Sequence, residues 1–135
     1  WRELSSVSSL ESVEPSERVK PLMKAIYAKE QVSKEQKLVF TEFAENWAAR
    51  HRGLGTSEEA RRASMNSANP KYVLRNYMAQ LAIERAEQGD TSLVEELLDL
   101  LKAPYAEQED KGSYYALRPD WARTKTGCSQ LSCSS

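Results

Sequence analysis

Two thiols are the side chains of this 135-residue chain best suited to redox chemistry, and both lie at its end, in Gly127-Cys128-Ser129-Gln130-Leu131-Ser132-Cys133-Ser134-Ser135. A cysteine on a solvent-exposed tether can meet a partner thiol far away in sequence, whereas one locked in a core cannot. Two cysteines are too few for the disulfide scaffold of a small secreted domain, and they lack the clustering of a zinc site. His51 is the lone histidine. No His-paired nucleophile, paired-His metal motif or Gly-rich phosphate loop can be assembled, and Arg52-Gly53-Leu54-Gly55 reads as a helix stop.

The elements that must position these groups come from an ordinary globular mixture, 40% hydrophobic and 29% charged, with a formal net charge of −1. That balance leaves no whole-chain footprint for nucleic acid or anionic lipid, so neither is expected as a partner. Apolar runs are only a few residues long, far short of a membrane span. The chain opens on Trp1-Arg2-Glu3-Leu4, without an initiator Met or a cationic-then-apolar leader, and this leads us to expect a piece of something longer.

Residues 1–15 are serine-rich and read as a loose lead-in. A helical region is expected over 16–104, with helices near 16–28, 33–52, 57–67, 70–88 and 91–102. In the first of these, Val19, Leu22, Met23, Ile26 and Tyr27 share one face, and Ser16 is the candidate cap. Ser33 and Gln36 form a capping box ahead of the stripe Val39, Phe40, Phe43, Ala44 and Trp47, which closes on Arg50, His51 and Arg52. A second box in Thr56-Ser57-Glu58-Glu59 opens a short polar helix. Asn69 then reads as a cap with Pro70 at the first helical position. The stripe Val73, Leu74, Tyr77, Met78, Leu81 and Ala82 runs on to a stop at Gly89. Asp90 or Ser92 caps the next helix, whose Leu93, Val94, Leu97, Leu98 and Leu101 pack inward until Pro104. The last two helices should form an antiparallel hairpin. Over 105–135 the pattern dissolves into an irregular segment and tail. No period-2 pattern appears, so the fold class is all-α.

The string Met65-Asn66-Ser67-Ala68-Asn69-Pro70-Lys71-Tyr72-Val73-Leu74-Arg75-Asn76 resembles the C-terminal signature of the selenoprotein O family. Ala79 to Glu84, Ala86 to Asp90, Leu98 to Tyr105, Arg118-Pro119-Asp120-Trp121 and Ser132-Cys133-Ser134-Ser135 follow in that family's order. The resemblance is dense from about Trp47 onward. It implies the C-terminal helical region of a larger, kinase-like (pseudokinase) protein adenylyltransferase. Such an enzyme moves AMP from ATP to Ser, Thr or Tyr hydroxyls of other proteins, using magnesium and a flipped nucleotide. The implied catalytic and metal-binding residues belong to the larger portion, and none can be matched here. The implied partners are that catalytic region and the enzyme's protein substrates. Compartment follows lineage, mitochondrial in eukaryotes and cytoplasmic in bacteria.

The resemblance also gives Cys133, third from the end, the implied role of a redox residue on a mobile tail. Selenocysteine-bearing members can have a thiol three residues before that position, but Gln130 stands there, and the nearest thiol is Cys128. Whether Cys133 would pair with Cys128 or with a cysteine outside this chain stays open. The terminal carboxylate disfavours thiolate at Cys133, and Arg123 and Lys125 would offset this if they fold close.

Plainer roles compete with the sharper ones. Asn69, Pro70, Tyr72, Arg75 and Asn76 fit a capped helix whose Arg75 and Asn76 tie down loops better than they fit substrate contacts. Arg50, Arg52, Arg61, Arg62 and Lys71 could face nucleotide phosphates, but helix-end charge and solvated faces explain them more simply. Tyr114, Tyr115 and Trp121 suit anchors that pin the irregular segment. A free-standing α-helical interaction module with an incidental tail is the alternative function. The parent reading frame separates the two. A bracing segment should also leave an apolar helix face uncovered.

Overall fold

The computed structural model describes residues 1–128, which form helices and turns with no β-strand among them. The chain divides into two compact units, Trp1–Asn69 and Pro70 onward. The boundary between the units falls inside the family-like string.

In the first unit, α1 (Pro15–Arg18) and α2 (Lys20–Lys24) replace the single helix expected near 16–28. Pro21 explains the break, because it has no N–H to donate and its ring crowds the carbonyl one turn back. Glu14, not Ser16, is the cap, and Pro15 occupies the first helical position. The third helix, α3 (Lys34–Gly53), has the full capping box, with Ser33 Oγ accepting from Gln36 N–H and Gln36 Oε1 accepting from Ser33 N–H. In α4 (Glu58–Ala68) the cap is one-sided, since Ser57 Oγ accepts from Ala60 N–H and the expected box with Thr56 does not form.

The lead-in is not loose. Leu4, Ser5, Val7 and Ser9 are buried, and Leu4, Val7 and Ala44 form a core with Val19, Leu22, Trp47 and Met65 against it. A serine-rich strand of backbone can be buried only if its carbonyls find donors. Arg61 supplies them to Ser5 and Val7 at 3.1 and 2.9 Å, and Arg52 to Ser9 at 2.8 Å.

In the second unit, α5 (Asn76–Ala86) and α6 (Ser92–Lys102) pack together around the Gly89 turn. Gly89 has φ +87°, and the Asp90 carboxylate accepts from Ser92 N–H at 3.0 Å to open α6. Their shared core joins Tyr72, Tyr77, Met78, Ala82, Leu93, Leu97, Leu100, Ala122 and Cys128. Residues 70–75, expected as the first turns of a helix over 70–88, are instead extended or bent.

Candidate functional site

The family-like string is built as a strap. Asn69 closes α4, with φ −119° and ψ 111° and with its backbone N–H and side-chain amide both donating to Met65 C=O. A residue before proline is driven out of the α region, so Asn69 ends one helix without starting another. Pro70 follows in the turn. The N–H groups of Lys71 and Tyr72 both donate to Pro104 C=O, at 2.8 and 3.1 Å, and fix the strap to the exit of α6. That exit is itself closed by Gln108, whose amide donates to the carbonyls of Leu100 and Ala103 at 2.9 and 3.0 Å.

Tyr72 is the anchor, 1% exposed, with its hydroxyl donating to Gln108 C=O at 3.3 Å. Lys71 pairs with Glu107 and lies 5.5 and 5.7 Å from the Tyr72 and Tyr115 rings. The hydrogen bond to Glu107 pushes its ammonium group's pKa up, against the opposing effect of burial. Arg75 caps α5 through its backbone and donates to Ala116 C=O at 2.6 Å. Asn76 begins α5 and is exposed. Arg75 thus does tie down the irregular segment.

Aromatic residues of that segment act as anchors. Trp121 meets Tyr77 edge-to-face at 6.0 Å, and Tyr114 and Tyr115 pack against the core cluster. Burial raises the Tyr114 pKa, and its bond to Glu96 adds to the effect. Lys125 pairs with Glu84 at 2.6 Å and Arg123 with Asp120 at 3.9 Å, so the cations expected to offset charge near Cys133 have acidic partners within the fold.

Cys128 overturns its expected place on a frayed, exposed end. It is a free thiol, 5% exposed, inside the second unit's core. Gly127 precedes it with φ +80°, and a side chain there would run into the Gln80 amide. Nothing in the helical periodicity signalled that enclosure. Cys133 and Gln130 lie outside the described residues.

The arginines divide. Arg61, expected on a solvated face, is buried over the Trp47 ring at 4.4 Å. Arg18 is buried as well and binds Glu45 at 2.5 Å and the carbonyls of Leu10 and Val13 at 2.5 and 2.8 Å. Arg50 and Arg62 are exposed. His51 lies 4.2 Å from the Trp47 ring. Burial, with the nearby charges of Arg61 and Arg50, pushes its pKa below the ordinary histidine value, which argues against a cationic helix end. Glu58 accepts from the Ser9 N–H at 2.7 Å and from the Ser9 hydroxyl. Burial pushes its pKa up, but these bonds, one from Ser8 and the Arg61 charge prevail and lower it to about 2.

Among the described residues, no three or more His, Cys, Asp or Glu side chains gather as metal ligands. The chain is similar to several longer proteins named as nucleotidyltransferases. Protein nucleotidyltransferase YdiU of Flavobacterium johnsoniae is 47% identical over 135 residues, covering all of this chain and 26% of that protein. The proteins of the same name from Xanthomonas euvesicatoria and Methylobacillus flagellatus are 54% identical over 94 residues and 59% over 81. Those alignments cover 70% and 60% of this chain and 18% and 16% of the relatives.

The chain belongs to the YdiU (selenoprotein O) family.

No protein-family model matches it. It spans about a quarter or less of the length of these curated YdiU relatives. Within the strap, the Lys71 and Tyr72 N–H groups and the Arg75 side chain bond backbone carbonyls, and Lys71 pairs with Glu107.

Proposed function

We propose that this chain is the C-terminal helical part of a pseudokinase-like protein adenylyltransferase and that it braces the catalytic body. The parent would transfer AMP from ATP to Ser, Thr or Tyr hydroxyls of proteins. The attacking oxygen bonds to the α-phosphorus, pyrophosphate leaves, and the hydroxyl proton passes to a base in the body. In this reading ATP and magnesium belong to the catalytic body. One observation carries the reading: 47% identity along all 135 residues to a protein named for nucleotidyl transfer.

The test is label transfer from α-phosphate-labelled ATP to protein by the full-length chain. We expect labelling by the full-length chain, none by residues 1–135 alone, and at least a tenfold loss when this region is deleted. Absence of protein labelling by the full-length chain would overturn the reading.

Cys133 is proposed as the tail's redox residue. In the full-length enzyme, Cys133→Ser should abolish an oxidant-dependent change in activity or gel mobility, while Cys128→Ser should preserve it. Identical oxidant responses of Cys133→Ser and the parent would remove that role.

A further inference from the structure

Helix α3 is inverted relative to an ordinary surface helix. The side chains it buries fully are Ala44 and Ala48, both 0% exposed, while Leu38, Val39 and Phe43 stand 59%, 62% and 47% exposed. Phe40 is only half-buried, so no residue from Lys34 to Phe43 is buried. Val39 and Phe43 are one turn apart and share a face. The first half of the helix therefore has its capping box but little packing, although helices in proteins draw most of their stability from a packed face.

Resting on the bracing role proposed above, we propose that the Val39–Phe43 face is the docking surface for the catalytic body of the same chain. The relatives supply the occupant's length, since all of this chain covers 26% of the Flavobacterium protein. Glu35 and Glu42 border this face, so it suits an apolar partner over a polyanion. Its size points the same way. Two such side chains offer roughly 200 Å², well below the ~800 Å² per partner of a stable complex between separate molecules. A covalently tethered partner can use so small a face because its effective concentration is high.

The test uses the full-length chain carrying Val39→Cys, with alkylation at that peptide followed by mass spectrometry in native and urea-unfolded protein. We expect native labelling at least tenfold slower than unfolded labelling, independent of protein concentration. Equal rates overturn the proposal. Slow labelling that becomes fast on dilution also overturns it, by assigning the face to a second copy. A second variant, Phe43→Glu, should lower the full chain's thermal midpoint by about 5 °C or more, and an unchanged midpoint counts against docking. AMP transfer is assayed on the same Val39→Cys protein. Transfer with rapid labelling sinks only the docking surface, whereas slow labelling without transfer sinks only the enzymatic reading.

Discussion

The two units reach order by opposite means. From Pro70 onward, a hydrophobic cluster of aromatic and aliphatic side chains is closed by the Tyr72 strap. In Trp1–Asn69 the compact apolar core is small, and buried guanidinium groups do much of the holding: Arg61 on Ser5 and Val7, Arg18 on Leu10 and Val13. Hydrophobic burial is non-directional and tolerates small shifts, whereas a guanidinium fork must meet its carbonyls within hydrogen-bonding range. The first unit should therefore be sensitive to single polar changes, and the second to changes in volume.

Tyr72→Ala attacks the second unit at its most buried large side chain and should cost about 4 kcal/mol, read from urea unfolding midpoints. Leu98→Ala, on an exposed residue of α6, should cost well under that, about 1 kcal/mol or less. Equal losses would break the volume argument. Arg61→Ala tests the first unit by stranding two buried carbonyls and loosening Glu58, and should cost about 3 kcal/mol.

Acid sharpens the same contrast. The Glu58 pKa is lowered from 4.5 to about 2, so its stabilisation is complete above about pH 4.5 and is lost as pH falls towards 2. With a quarter of its side chain exposed, that contribution is about 2 kcal/mol. Glu58→Gln should flatten the pH dependence of unfolding between pH 5 and 2, and an unchanged slope would show that Glu58 does not carry it. Ser33→Ala should cost about 1 kcal/mol from loss of the capping box, read from the same unfolding midpoints.

Much of the first unit's helix pattern was readable along the chain, because a cap and its partner lie three residues apart. Ser33 and Gln36 met as their spacing required, and α3 ran within a residue of its expected limits. At Asn69-Pro70 the same local logic misled. A cap and a pre-proline extended residue share backbone angles, and only the acceptor at Pro104, more than thirty residues away, decides between helix and strap. For the site, Arg75 as a loop tie was legible from its place in the motif. Cys128 was not, because small polar neighbours suggest exposure and its burial depends on a core cluster drawn from several segments of the chain.

By itself the sequence determined the all-α class, the caps and limits of α3, the stop at Pro104 and the family, since these rest on local spacing and residue identity. Tertiary structure alone decided that Leu4, Ser5, Val7 and Ser9 of the lead-in are buried, that Arg61 is a clamp, that residues 70–75 are extended and that Cys128 is enclosed. Each of these depends on a donor, acceptor or apolar wall supplied from far along the chain, and no local period records where such a partner will arrive.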